Sequence, residues 1–195
     1  ANNETGVLQP VAAAVEKVHA AGGVVVCDAV QAAGRIACTF ETLGADFLVV
    51  SSHKLGGPQG AGALVLRDAA LKCRRPLIRG GRQESGFRAG TENVAAIAGF
   101  GAAVDEAIDH LADEEARLAA LRDQLEASVL QIAPDALIFG SGAPRNPNTC
   151  AFAIPGLPAE TALMAFDLAG IALSSGSACS SGKGKRSHVL AAMGV

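Results

Sequence analysis

Apolar residues at Val11, Ala14, Val15 and Val18 recur at helical spacing. Pro10 stands at the tolerated first-turn position, and Gly22-Gly23 end the pattern, so a helix is predicted between them. The wholly apolar run Val24-Val25-Val26-Cys27 predicts a strand buried on both faces, as in a parallel sheet, ending on Asp28. A short helical segment and turns follow over 29–45. Phe47-Leu48-Val49-Val50 predicts a second buried strand, which stops at Ser51-Ser52-His53-Lys54-Leu55-Gly56-Gly57. Ala61 to Arg67 reads as a further strand, with antiparallel pairing open. Arg79 to Thr91 is rich in Gly and Arg without periodicity and predicts a long loop of the functional kind.

Thr91 reads as the N-cap of a long helical region. Val94, Ile97, Ala98, Val104, Ile108 and Leu111 give that region its apolar face. Asp113 to Leu130, rich in Ala, Leu, Glu and Arg, predicts a second helical stretch. Ala136-Leu137-Ile138-Phe139 and Cys150-Ala151-Phe152-Ala153-Ile154 then predict strands around the loop Gly140–Asn148. An amphipathic helix is expected over Pro158 to Leu168, and a strand at Ile171-Ala172-Leu173. The chain then runs into Ser174-Ser175-Gly176-Ser177-Ala178-Cys179-Ser180-Ser181-Gly182.

Composition narrows the function classes. Half of the 195 residues are hydrophobic, enough for a sizeable core, while Tyr and Trp are absent. The net charge of −3 carries no long basic block, which argues against a nucleic-acid surface. No apolar run approaches the ~20 residues of a spanning helix, so no membrane association is expected. The polar start Ala1-Asn2-Asn3-Glu4 predicts no signal peptide, and both ends read as cuts through a larger protein. The five cysteines, Cys27, Cys38, Cys73, Cys150 and Cys179, form no CxxC pair and carry no zinc-spaced histidines. Their odd number fits a reducing cytoplasm. Most are expected to be small buried residues; Cys179, among serines and glycines, is the exception.

The candidate chemistry lies at the two strand ends. Lys17, Lys72, Lys183 and Lys185 sit in polar surroundings, and only Lys54 stands at the mouth of an apolar strand. A lysine partly desolvated there is neutral more often and can form a Schiff base. A carboxylate at one strand end and Ser-Ser-His-Lys at the next is the pattern that a pyridoxal phosphate site requires. The cofactor's aldehyde needs a lysine and its pyridine nitrogen a carboxylate, with Asp28 and Lys54 as the pair. Ser51, Ser52 and His53 offer hydroxyl and N–H groups to its phosphate. The plainer readings are a surface lysine at a strand end, a loop or N-cap carboxylate, and an incidental loop cysteine.

Five segments, in order, resemble the cysteine desulfurases of the NifS/IscS-like group, within the class-V aminotransferase superfamily. They are Asn2-Asn3-Glu4-Thr5-Gly6, Asp28-Ala29-Val30-Gln31, Ser51-Ser52-His53-Lys54, Arg88-Ala89-Gly90-Thr91-Glu92-Asn93 and Ser175-Gly176-Ser177-Ala178-Cys179. The resemblance implies an α/β chain of the PLP-dependent transferase fold type I. Residues 1–107 would be the later part of the large, mostly parallel-sheet cofactor domain, and 108–195 a smaller α+β domain carrying the cysteine loop.

It also implies conversion of L-cysteine to L-alanine on pyridoxal 5'-phosphate. Lys54 and His53 would assist proton transfers, and the Cys179 thiolate would take the substrate sulfur as a persulfide. Asp28 would pair with the pyridine nitrogen, and Gln31 and Asn3 would contact the ring hydroxyl region. Ser51, Ser52 and His53 would hold the phosphate. Thr91 would reach the phosphate of the other subunit of a homodimer. The persulfide would pass to an iron–sulfur scaffold or another acceptor protein, with a transient iron–sulfur contact at Cys179. The family's ring-stacking histidine would precede Ala1 and its substrate-carboxylate arginine would follow Val195, so Arg88 is not assigned that role. Arg82 stands where the family more often has glycine. Two competing readings remain: a selenocysteine lyase or other class-V enzyme, and a non-catalytic chain that only binds a partner.

Overall fold

The computed structural model describes residues 1–70, 75–176 and 187–195. Contacts divide the chain into two compact units, Gln9–Glu114 and Ala1–Leu8 with Glu115–Val195.

In the first unit, helix α1 (Val11–Ala20) leads to strand β1 (Val26–Asp28), helix α2 (Phe40–Leu43), strand β2 (Phe47–Ser51) and strand β3 (Gly62–Leu66). The sheet order is β1-β2-β3. β1 and β2 run parallel, with Cys27 opposite Leu48 and Asp28 opposite Val49. β2 and β3 run antiparallel, from Phe47 opposite Leu66 to Ser51 opposite Gly62. Side chains alternate across a strand, so Cys27 and Leu48 share one face and Val26, Asp28, Phe47, Val49 and Ser51 the other. Cys27, Leu48, Val15 and Ala45 form a buried cluster, joined by Val11, Val25, Phe40 and Leu43. Helices α1 and α2 thus cover a single face of the sheet. Burying Val15 or Leu48 contributes roughly 1.5–3 kcal/mol each.

β1 departs from expectation: it is shorter and is not buried on both faces. Val26 is 60% exposed, because it stands on the face that α1 and α2 leave uncovered. The first helix, the segment over 29–45 and the second strand stand where the pattern places them.

Asp46 ties the start of the sheet together. Its Oδ2 accepts the Val25 N–H at 2.8 Å and meets His19 Nε2 at 2.8 Å. Its Oδ1 takes a guanidinium N–H of Arg67, whose second arm donates to the Gly44 carbonyl at 3.1 Å. One carboxylate therefore joins α1, the lead into β1, the lead into β2 and the end of β3. The Val25 N–H first, and then His19, hold its carboxyl below the ordinary aspartate value.

Helix α3 (Val94–Asp109) follows the loop over 79–91. Its N-cap is not Thr91. Asn93 takes that place, with Oδ1 accepting the Ala96 N–H at 3.2 Å. Helix α4 (Leu111–Ile132) starts past His110, and the division between the units falls in its first turn.

In the second unit, β4 (Leu137–Ile138) pairs antiparallel with β5 (Phe152–Ala153). Helices α5 (Ala159–Leu168) and α6 (His188–Ala192) complete it. The expected strand at Ile171–Leu173 is absent from the described pairings: the segment is apolar and finds no partner strand. Arg145 meets Glu126 in a two-pronged pair, Nη1 to Oε1 at 2.6 Å and Nη2 to Oε2 at 2.9 Å. Their side chains are only 6% and 12% exposed. Asn2 Oδ1 gathers the N–H groups of Glu4 and Thr5, which folds the Asn2–Gly6 turn.

Two outcomes follow. Because the Asp46 carboxyl is depressed on folding, its stabilisation is complete above the ordinary aspartate range and is lost as pH falls through the lower folded value. Asp46→Asn is expected to lower Tm by several degrees at neutral pH and to flatten the acid limb of a Tm-against-pH curve. Arg145→Met is expected to cost on the order of 2–3 kcal/mol in urea unfolding, since it strands the buried Glu126 carboxylate. Adding Glu126→Leu is expected to recover most of that loss.

Candidate active site

Parallel pairing places the carboxyl ends of β1 and β2 at one edge of the sheet, where ligands of open α/β sheets bind. Asp28 is level with Val49, and Ser51 is two residues further on the same face. Strand spacing and rise set the Asp28 and Ser51 backbones roughly 8 Å apart. Asp28 is exposed, and its Oδ1 accepts the Val30 N–H at 2.9 Å. That bond turns the chain directly after the strand and brings the half-buried Gln31 to the same edge.

After Ser51 the chain enters a 3₁₀ turn, Ser52–Lys54. Ser52 opens it with its N–H on the Ala61 carbonyl, at 3.1 Å, and its own carbonyl takes the N–H groups of Leu55 and Gly57. Lys54 is half-buried and ends the turn. Ser51 Oγ and His53 Nδ1 lie 2.9 Å apart, forming a polar pair from the residues three before and one before the lysine.

Ser52 does not join them. It is fully buried, and its Oγ has no hydrogen-bond partner among the described residues. A Cβ on Gly57 would lie 2.4 Å from that oxygen and 3.1 Å from Ala103 Cβ, so the hydroxyl is packed under the turn.

Thr91 is exposed, just ahead of α3. Asn3 is exposed and belongs to the other compact unit, beside a cavity of about 470 Å³ lined also by Thr149, Phe152, Phe166 and Ser175. Cys179 lies outside the described residues.

The other described cysteines are poor nucleophiles. Burial pushes the Cys27 and Cys38 thiols up. Burial, with the Glu126 carboxylate beside it, pushes Cys150 up to about 11. No group of three or more His, Cys, Asp or Glu among the described residues is arranged to hold a metal ion.

The donor set at the strand ends fits pyridoxal phosphate. Lys54 supplies the amine, Asp28 an exposed carboxylate, and Ser51 with His53 a hydroxyl and a ring nitrogen for an anion. Three residues of this unit have roles that the residue pattern alone does not predict. Gly57 was signalled by the glycine pair after the lysine, and Asn93 by its type as a capping residue. Arg35, whose Nη2 donates to the Lys54 carbonyl at 3.0 Å, left no local signal.

A sequence profile of the class-V aminotransferase family matches residues 1–193. The cysteine desulfurase of Enterobacter agglomerans is 45% identical over all 195 residues, which cover 48% of that protein. The cysteine desulfurase NifS of Azotobacter vinelandii is 42% identical, again across the whole chain and 48% of the relative. Among solved structures, a NifS-like protein from Rickettsia africae superposes with a TM-score of 0.87 at 39% identity, over 100% of this chain and 51% of that one. The chain thus spans about half the length of the curated relatives it matches. Pyridoxal 5'-phosphate is the cofactor of the family to which these proteins belong. The order of the strand-end residues, the α/β sheet that displays them and the match over residues 1–193 place this chain in the class-V aminotransferase family, with the fold of its NifS-like members.

Proposed function

We propose that the protein to which this chain belongs is a cysteine desulfurase, converting L-cysteine to L-alanine and carrying the sulfur on Cys179. The observation that carries this reading is the presence of Asp28 and the Ser51–His53–Lys54 turn on two adjacent parallel strand ends. Identity of 41–46% to cysteine desulfurases across the whole chain supports it.

Bound pyridoxal phosphate would supply an aldehyde for amines and an electron sink for the substrate's α-carbon. The chain's residues do the rest. Lys54 would hold the cofactor through its amine and, with His53, would move protons at the substrate. Asp28 would keep the pyridine nitrogen protonated, since a carboxylate beside it favours the charged form. Gln31 and Asn3 would contact the ring hydroxyl region, while Ser51 and His53 would bind the phosphate. Thr91 reaches the phosphate of the second subunit in a homodimer.

The Cys179 thiolate attacks the substrate sulfur, and the carbon–sulfur bond breaks. Its electron pair stays with the carbon skeleton, which is protonated to alanine. The sulfur remains as a persulfide for delivery to an iron–sulfur scaffold or another acceptor protein in the cytoplasm. With Cys27, Cys38 and Cys150 pushed up by burial, a low-pKa thiol for this step must come from elsewhere.

The test uses the full chain mixed with pyridoxal phosphate. A new absorbance band above 400 nm (roughly the range of a protonated cofactor–lysine adduct) is expected with the native sequence and not with Lys54→Ala. Cys179→Ser is expected to keep that band and to reduce sulfide release from cysteine by at least about 100-fold. A band that survives Lys54→Ala, or full sulfide release from Cys179→Ser, would overturn the assignments.

A further inference from the structure

The Lys54 turn is gripped from the loop that follows Asp28. Arg35 spans two backbone carbonyls: Nη2 donates to Lys54 O at 3.0 Å and Nη1 to Gly34 O at 3.2 Å. The Lys54 carbonyl stands at the end of a 3₁₀ turn, where the chain itself supplies no further helical donor. A guanidinium is suited to this, because its planar fork presents parallel N–H groups that lose little freedom on binding.

A second contact lies beside the first. Gly34 has φ +70°, and a Cβ there would lie 2.2 Å from Leu55 Cδ2 and 3.3 Å from Ala107 Cβ. Residues 34–35 and 54–55 therefore meet at two points, one apolar and one charge-assisted. Both points join the loop carrying Asp28 and Gln31 to the turn carrying Lys54. They also anchor this junction against α3 through Ala107.

We propose that Arg35 is a positioning residue that sets the Lys54 backbone relative to the Asp28–Gln31 loop, with Gly34 providing the close approach. The reach of the Lys54 amine is fixed by its own backbone and four methylenes, so an unclamped turn spreads it over a wider volume. This rests on the reading of Lys54 as the cofactor lysine. Arg35 touches neither cofactor nor substrate in the arrangement proposed.

The experiment compares the native chain with Arg35→Ala and Arg35→Lys. Pyridoxal phosphate is trapped with borohydride, and modification of Lys54 is followed by mass spectrometry beside that of Lys17. In parallel, amide exchange is measured at Leu55 and Gly57, whose N–H groups bond the Ser52 carbonyl inside the same turn. In Arg35→Ala, trapping at Lys54 is expected to slow about tenfold, consistent with loss of a charge-assisted bond. Lys17 trapping should be unchanged, unfolding should remain cooperative, and exchange at Leu55 and Gly57 should rise. Arg35→Lys, with one point of attachment for two carbonyls, is expected to recover part of the loss. Native rates of trapping and exchange in Arg35→Ala would overturn the proposal. If the native chain itself fails to trap at Lys54, the cofactor reading for this chain fails, while the exchange comparison still decides whether Arg35 holds the turn.

Discussion

The parallel pairing of β1 with β2 is the constraint on which the rest depends. Parallel strands deliver their carboxyl ends to one edge, and a register with Asp28 opposite Val49 sets which side chains arrive there. Slipping that register by one residue would send Asp28 to the helix-covered face. The cluster of Val15, Cys27, Ala45 and Leu48 opposes such a slip, since Cys27 would turn out of it and lose its burial. The placement of the chemical groups is therefore a by-product of core packing on the opposite face.

The other end of the sheet is held by polar contacts. Asp46 gathers His19, Val25 and Arg67 at a point where three strand termini meet, and so stabilises the strands where few apolar contacts do. At the carboxyl edge of β1 and β2 the same principle recurs with reversed charge, as Arg35 collects backbone carbonyls from the two loops. Both are single ionised side chains that satisfy backbone groups of segments far apart in sequence. The second unit uses the Arg145–Glu126 pair, with Arg122 on the Asn146 carbonyl, to hold its long helix to the loop after β4.

Much of this was legible in the residues. The helices were marked by period and by Pro and Gly punctuation. The strand ends were marked by apolar runs breaking at Asp28 and Ser51. The family resemblance covered the whole chain because its motifs are short and fall in order. What was hidden depended on long-range geometry. Thr91 and Asn93 are both capping types two residues apart, and only the backbone path selects Asn93. Ser51 and Ser52 are chemically identical, yet their successive positions send one to the site edge and the other beneath Gly57. Ile171–Leu173 has strand composition but no paired neighbour among the described residues. Arg35 acts on a carbonyl 19 residues away, which no local pattern encodes.

The carboxyl ends of β1 and β2 are proposed to form one ligand site. The most direct measurement is a ¹H–¹⁵N NMR titration of the chain with pyridoxal phosphate. Amide shifts are expected to move together in Asp28–Gln31 and in Ser51–Leu55, along a single saturation curve. Shifts confined to one of these segments, or centred on the arginine-rich loop over 75–90, would contradict it.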